Sequence, residues 1–295
     1  MRILITGAHG FLGRALVREL ANRNHQITAL ARRADSSLPP MVRTLAADLL
    51  DVRATADALR NDCFDAVLHA AAITPAASGN AQQAVTHEGN ALLTGNLLTA
   101  LTAPPAKLVH LSTLDVYALP AGDTVLTEAS ALAPVSAYAL SKHQAEQLCH
   151  DWAQRHSVPC VTARLTQIFG PGDPSQKFIP NVIRKARAGL PIELFGDGSD
   201  LRDFLFVDDA AALLTALTEN MGTNGVFNVA SGTSRSLNDV LTTLSSTMNR
   251  ELAVEHLPRK KTLVNYRFDV AKLKGATSIA SLNSFVTSLE RTLNP

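Results

Sequence analysis

Hydrophobic and polar positions alternate along the first half of the chain in two periods. Short apolar runs have the length and flanks of buried strands: RILIT (2–6), QITALAR (26–32), RTLAADL (43–49), AVLHAAA (66–72), KLVHLST (107–113) and PCVTARL (159–165). Between them, FLGRALVRELANR (11–23), the segments near 54–60 and 86–103, and SAYALSKHQAEQLCHDWAQRH (136–156) place apolar residues at helical spacing. Pro104-Pro105 ends the third helix, because proline has no N–H and restricts the residue before it. Strands alternating with helices predict βαβ units and a doubly wound parallel sheet, an α/β fold.

The pattern loosens after Leu165. Glycine and proline cluster in GPGDP (170–174) and GDG (196–198), which mark loops. FLFVDDAAALLTALT (204–218) again reads as a strand turning into a helix, with Asp208-Asp209 as its N-cap. The expected organisation is a first domain over 1–168 to which the chain returns around 204–230. A smaller α/β C-terminal lobe takes 169–203 and 231–295.

Composition narrows the function classes. The 295 residues are 46% hydrophobic and 18% charged, which excludes a disordered chain. A net charge of +1 without basic runs excludes a nucleic-acid partner. The apolar stretch 66–77 is too short to span a membrane and holds His69 and Pro75. Three scattered cysteines (Cys63, Cys149, Cys160) without CxxC spacing fit a reducing compartment. MRILITG runs directly into a strand, so a cytoplasmic location is expected. The nine histidines show no metal-ligand spacing, and His69 and His110 are expected to be satisfied core residues.

The sharpest motif is Gly7-Ala8-His9-Gly10-Phe11-Leu12-Gly13, between the first strand and the first helix. Glycines there permit a tight turn and close approach of backbone to a diphosphate, whose charge meets the helix N-terminus. Tyr138 and Lys142, in YALSK, lie on one helix face at i,i+4. A cation there favours the phenolate and eases proton exchange by a phenol whose ordinary pKa is about 10.

These motifs resemble the extended short-chain dehydrogenase/reductase family, also called the NAD-dependent epimerase/dehydratase family, whose core is a Rossmann domain. The resemblance implies a dinucleotide site at Gly7, Gly10, Phe11, Leu12 and Gly13, with Asp48 and Leu49 at the adenine edge. Ala70 and Ala71 would lie beneath the cofactor, and Asn90 would brace the site. Where the family carries an acid after the second strand, this chain has Ala31-Arg32-Arg33. A guanidinium there suits a 2′-phosphate, so Arg32 or Arg33 favours NADP(H), with NAD(H) second. Tyr138, Lys142 and Thr113 take the family's catalytic positions. Thr113 would hold the substrate oxygen, with Ser112 as runner-up.

The resemblance continues through ARLTQIFGPGDP (163–174), GDGSDLRDFLFVDD (196–209) and FNVASG (227–232). It implies substrate contacts from Arg202 and Arg259, two guanidinia for a diphosphate. Two departures stand out: Gln167 replaces the family asparagine, and Lys261-Thr262 replaces a Gly-Asp pair. The expected activity is NADP(H)-dependent reduction of a nucleotide-linked keto sugar. Alternatives are a nucleotide-sugar 4-epimerase holding NAD, a small aldehyde or ketone reductase, and a non-catalytic cofactor-sensing regulator. A 4,6-dehydratase is disfavoured because Leu114 interrupts the acidic pair that branch carries. The family also implies a homodimer through helices 86–103 and 136–156.

Overall fold

The computed structural model describes residues 1–33, 38–74, 83–120, 122–259, 262–279 and 281–294. Seven parallel strands form the main sheet: β1 (Arg2–Thr6), β2 (Gln26–Ala31), β3 (Arg43–Ala46), β4 (Ala66–His69), β5 (Lys107–Thr113), β7 (Cys160–Leu165) and β11 (Gly225–Val229). Their order is β11-β7-β5-β4-β1-β2-β3, so the winding reverses between β1 and β4. In a doubly wound sheet that reversal opens a crevice beyond the carboxyl ends of the two strands.

Alternate residues of each strand enter opposite layers. Ile3, Ile5, Leu68, Val109 and Val161 join one buried cluster. Leu4, Val67, Leu108 and Cys160 join the other, with Leu93, Leu97 and Trp152. The helices covering the sheet include α1 (Phe11–Asn22), α2 (Val52–Leu59), α3 (Gln83–Ala100) and α4 (Ala137–His156). Helix α4 is capped by Ser136, whose hydroxyl accepts from Ala139 N–H at 3.0 Å.

The remaining chain builds smaller sheets. β10 (Leu201–Phe206) pairs with β8 (Gln167–Phe169) in parallel and with β12 (Ser234–Ser236) antiparallel. β9 (Ile192–Phe195) pairs with β13 (Val254–Leu257), and β6 (Val125–Leu126) with β14 (Arg267–Phe268). Helices α5 (Phe178–Ala188), α6 (Val207–Glu219), α7 (Leu237–Thr247), α8 (Ala271–Ala276) and α9 (Phe285–Leu293) complete the chain. Among the described residues no helix is long and apolar enough to cross a membrane, and no cluster of metal-ligating side chains occurs.

Two sequence expectations are corrected. Asp208 and Asp209 do not cap α6; its N-cap is Phe206, without a side-chain cap bond. Both lie in the first turn and bind distant groups instead. Asp208 pairs with Arg18 and Arg291, and Asp209 accepts from Asn283 N–H and Nδ2. His69 is satisfied, but His110 is not: it is fully buried and neither ring nitrogen has a hydrogen-bond partner among the described residues.

Candidate active site

The glycine loop turns at the crevice. Gly7 has φ +72°, and a Cβ there would lie 2.7 Å from Ala71 N. A Cβ on Gly13 would lie 2.0 Å from Gly7 O, so that glycine lets α1 pack against the loop. Gly10 N–H donates to Gly7 O at 2.9 Å, which closes the turn. Phe11 and Leu12 pack on the core, fixing the first turn of α1.

A cleft of about 570 Å³ follows from this loop along the ends of β2, β3 and β4. Gly7, Gly10, Arg32, Asp48 and Leu49 line it, together with Ala70 and Ala71. Leu49 is buried while Asp48 is exposed, its carboxylate accepting from Leu50 N–H at 3.0 Å. Arg33 is exposed and does not line the cleft. Ile73 also lines the cleft and is bonded to Asn90, which leads to the second half of the site.

Asn90, buried in α3, joins the two halves. Its Oδ1 accepts from Ile73 N–H at 2.8 Å, and its Nδ2 donates to Ile73 O at 3.0 Å and to Ser141 Oγ at 2.9 Å. Ser141 Oγ donates in turn to Tyr138 O at 2.8 Å. A buried chain then runs back to β1. Thr94 Oγ1 donates to Asn90 O at 2.7 Å, so His69 Nε2 must donate to Thr94, at 2.9 Å. His69 Nδ1 therefore accepts from Thr6 Oγ1 at 2.7 Å, and that hydroxyl accepts from Ala71 N–H at 3.1 Å. Burial pushes the His69 imidazole down to about 3, so this tautomer is neutral.

Lys142 is buried, and its ammonium has no hydrogen-bond or ion-pair partner among the described residues. Burial lowers it to about 8, with Glu146 one turn further on opposing the shift. Glu146 is itself held by a buried bidentate pair with Arg164, at 3.1 and 2.8 Å. Tyr138 is half-buried, and its phenol is pushed above the ordinary value by burial and by the Asp115 carboxylate. This runs against the expected acidification by Lys142: desolvation and the Asp115 anion both favour the neutral phenol. Thr113 ends β5, buried, its Oγ1 accepting from Asp115 N–H at 3.3 Å.

The two arginines meet on one carboxylate. Arg259 donates to both oxygens of Asp200, at 3.0 and 2.8 Å, and to Asp197 at 2.8 Å. Arg202 Nη2 lies 3.6 Å from Asp200, while its Nη1 donates to Leu201 O and Val264 O. Gln167 opens β8, half-buried and opposite Phe204 in register. Thr262 is described; the neighbouring Lys261 lies outside the described residues.

With this geometry in hand, the model of the NAD dependent epimerase/dehydratase family matches residues 3–230. The chain belongs to the NAD-dependent epimerase/dehydratase family. It is an enzyme of the extended short-chain dehydrogenase/reductase type. It is 28% identical to dTDP-glucose 4,6-dehydratase of Neisseria gonorrhoeae, over 99% of this chain and 94% of that protein. It is 30% identical to dTDP-glucose 4,6-dehydratase 1 of Escherichia coli K12, over 88% and 79%. Among solved structures, MoeE5 in complex with UDP-glucuronic acid and NAD is 28% identical, with a TM-score of 0.86, covering 100% of this chain and 98% of that one.

Two residues of this epimerase/dehydratase-family enzyme escape a motif reading. Asp115 follows Thr113 by two, and desolvation lifts its carboxyl above the ordinary range while the Thr113 hydroxyl and Lys177 oppose the shift. Tyr266 places its ring 5.2 Å from the Arg202 guanidinium, and Asp115 also raises its phenol. The Asp115 carboxylate disfavours ionisation of both Tyr138 and Tyr266, in each case adding to the effect of burial. Tyr266 carries no local spacing signal; its N–H donates to Leu201 O at 3.0 Å and its carbonyl accepts from Ser234 Oγ at 2.7 Å, just before β14 pairs with β6.

Proposed function

We propose that this enzyme moves a hydride between a nicotinamide dinucleotide and a carbinol or carbonyl carbon of a nucleotide-linked sugar. The observation that carries the reading is Lys142, a buried residue without a hydrogen-bond or ion-pair partner among the described residues, one turn beyond Tyr138 on a helix that Asn90 ties to the cleft. A cation on a largely desolvated side chain gains from a polar group that meets it, and a ribose diol suits that place. The cleft fits the cofactor, because Gly7, Ala70 and Ala71 leave a backbone-lined passage that a Cβ would fill. The bound dinucleotide supplies the hydride donor and acceptor.

This chain's residues supply placement and proton transfer. Thr113 holds the reacting oxygen through its hydroxyl, and Tyr138 gives or takes that oxygen's proton. Lys142 binds the nicotinamide ribose and, once desolvated beside it, favours ionisation of Tyr138. Gly7, Gly10 and Gly13 set the diphosphate loop, Phe11 and Leu12 anchor it, and Asp48 and Leu49 meet the adenine end. Arg202 and Arg259, gathered by Asp200, take the substrate diphosphate, and Gln167 reaches the sugar.

NAD(H) is the first reading for the dinucleotide, supported by the NAD named with MoeE5. Cofactor recycling during epimerisation then leads. A second reading is favoured by Arg32, which lines the cleft where an acid would oppose a 2′-phosphate. That is NADP(H) with net reduction of a keto sugar. Dehydration is disfavoured by the buried Leu114 between Thr113 and Asp115. The proposed assembly is a homodimer through α3 and α4, which leave Leu92 and Leu148 exposed.

The test is a fluorescence titration with NADH and NADPH side by side, followed by product analysis with UDP- and dTDP-linked sugars. Binding of either dinucleotide and loss of turnover in Tyr138→Phe support the reading. Absence of dinucleotide binding, or full turnover in Tyr138→Phe, overturns it.

A further inference from the structure

The turn between β9 and β10 is shaped around one guanidinium. Gly196 has φ +91°, and a Cβ on it would lie 2.6 Å from Arg259 Nη2 and 2.7 Å from its Cζ. Only glycine therefore lets the Arg259 side chain pack against this turn. The turn is stitched to β13, just before Arg259. Gly196 N–H donates to Leu257 O at 2.9 Å, and His256 Nδ1 donates to Gly196 O at 2.9 Å. Asn238 of α7 secures the other side, donating from Nδ2 to Asp197 O at 2.8 Å and from its N–H to Gly198 O at 3.1 Å.

Arg259 meets two unlike carboxylates there. Its Nη1 donates to both oxygens of Asp200, whose side chain is 7% exposed. Its Nη2 donates at 2.8 Å to Asp197, whose side chain is 71% exposed. Asp197 does not depend on the arginine for its place. Its Oδ1 also accepts from Ser199 Oγ at 2.7 Å and from Ser199 N–H at 3.2 Å. These bonds, with the Arg259 charge adding, hold the carboxyl below the ordinary carboxylate range. Asp200 draws in the second arginine as well, with Arg202 Nη2 3.6 Å away. Two guanidinia thus face two carboxylates, and the four charges balance.

The two pairs differ in what it takes to break them. An exposed ion pair is weak and screened by salt, whereas a buried one is strongly destabilising to break. A phosphate oxygen offers Arg259 the same kind of charge-assisted bond that Asp197 does. An anion arriving at the two arginines therefore exchanges with Asp197 and leaves Asp200 in place. On the reading that Arg202 and Arg259 take the substrate diphosphate, we propose that Asp197 sets their affinity for it by competing for Arg259 Nη2, while Asp200 is the positioning residue that holds both guanidinia. Opposite effects then follow from the same change of charge. Loss of the Asp197 charge removes a competitor, and loss of the Asp200 charge lets the guanidinia go. A general effect of the local field would make both changes tighten binding, and a merely structural role would make both loosen it.

The experiment is a calorimetric titration of the full chain with UDP, and with dTDP in parallel. Asp197→Asn should tighten binding roughly two- to fivefold, the worth of an exposed pair, and high salt should shrink the gain. Asp200→Asn should weaken binding by about tenfold or more, and Asp200→Glu, which keeps the charge, should lose less. Melting curves check that each variant is folded. Arg259→Ala separates this proposal from the reading it rests on. No binding of either nucleotide, or unchanged affinity in Arg259→Ala, overturns both. If Arg259→Ala abolishes binding while Asp197→Asn leaves affinity unchanged or lower, the diphosphate reading stands and the competition is overturned. Tightening in both Asp197→Asn and Asp200→Asn overturns the positioning role of Asp200.

Discussion

Asn90 Nδ2 donates to Ser141 Oγ at 2.9 Å, and this bond fastens the Tyr138–Lys142 helix to the cleft beside the glycine loop. The same side chain holds both the N–H and the carbonyl of Ile73, so one buried amide makes three bonds. Leucine at this position would leave the Ile73 N–H and carbonyl unpaired and take away the donor to Ser141 Oγ, which keeps its bond to Tyr138 O. Asn90→Leu should cost about 2–4 kcal/mol by the ordinary penalty for buried unsatisfied groups. Turnover should fall with little change in NADH affinity for Gly7–Gly10. Urea unfolding and steady-state kinetics check both; unchanged stability would mean the Ile73 contacts are dispensable.

The glycine loop permits a cleaner dissection. Gly7→Ala combines φ +72° with a Cβ 2.7 Å from Ala71 N, and should destabilise the fold by about 2–4 kcal/mol. Gly10 has φ −69°, and a Cβ there meets only Gly7 O, at 3.2 Å. Gly10→Ala should therefore stay folded and weaken dinucleotide binding alone. Thermal melts with and without NADH separate the two. Equal melting losses in both variants would contradict the steric account.

Much of this arrangement is legible in the sequence. RILIT and KLVHLST coincide with β1 and β5, and QITALAR and PCVTARL overrun β2 and β7 by one residue. Buried parallel strands are apolar on both faces and bounded by turns, so their local pattern suffices. What stays hidden depends on distant partners. Asp208-Asp209 has the local look of a cap, yet Arg18, Asn283 and Arg291 claim it from both ends of the chain. The β6–β14 pair is two residues long on each side, too short to carry a pattern, and Tyr266 beside it is placed by bonds to Leu201 and Ser234. His110 reads like any strand histidine; only three-dimensional packing leaves it without a partner.

Arg164 and Glu146 form a pair whose side chains are 4% and 7% exposed. Breaking it should be much worse than replacing it. Arg164→Met leaves a buried carboxylate and should cost about 3–5 kcal/mol, whereas Arg164→Met with Glu146→Leu should recover most of that loss. The double variant should also lower the Lys142 pKa, because Glu146 supports its charge. A double-mutant cycle by urea unfolding is the measurement. A coupling energy near zero would count against the pair.

Two buried histidines set the acid limit of stability. The folded His69 value of about 3 lies below the ordinary 6.5, and His110 shifts in the same direction through burial. The unfolded chain therefore binds more protons below pH 6.5. Stability present above that pH is lost as pH falls, by about 1.4 kcal/mol per unit for each fully shifted histidine. His110→Leu removes two unpaired ring nitrogens, so it should unfold no more easily at pH 8 and show a shallower decline below pH 6.5. Urea midpoints at pH 8, 6 and 5 check this. An undiminished slope would show that His110 does not titrate on unfolding.

Tyr138 is the phenol proposed to do the proton work. Tyr117, Tyr138 and Tyr266 are the chain's three tyrosines, and all are raised above the ordinary value. Burial leads in each case, but Asp115 adds to Tyr138 and Tyr266 and not to Tyr117. A carboxylate facing two phenols disfavours a second negative charge on either, so removing it should ease their ionisation. Asp115→Asn should therefore move two of three tyrosinate transitions to lower pH, read by ultraviolet absorbance, and leave the third in place. The turnover profile should shift its basic-side dependence the same way. If all three transitions stay fixed, Asp115 does not face the Tyr138 hydroxyl, and proton transfer there is set by burial and the bound dinucleotide alone.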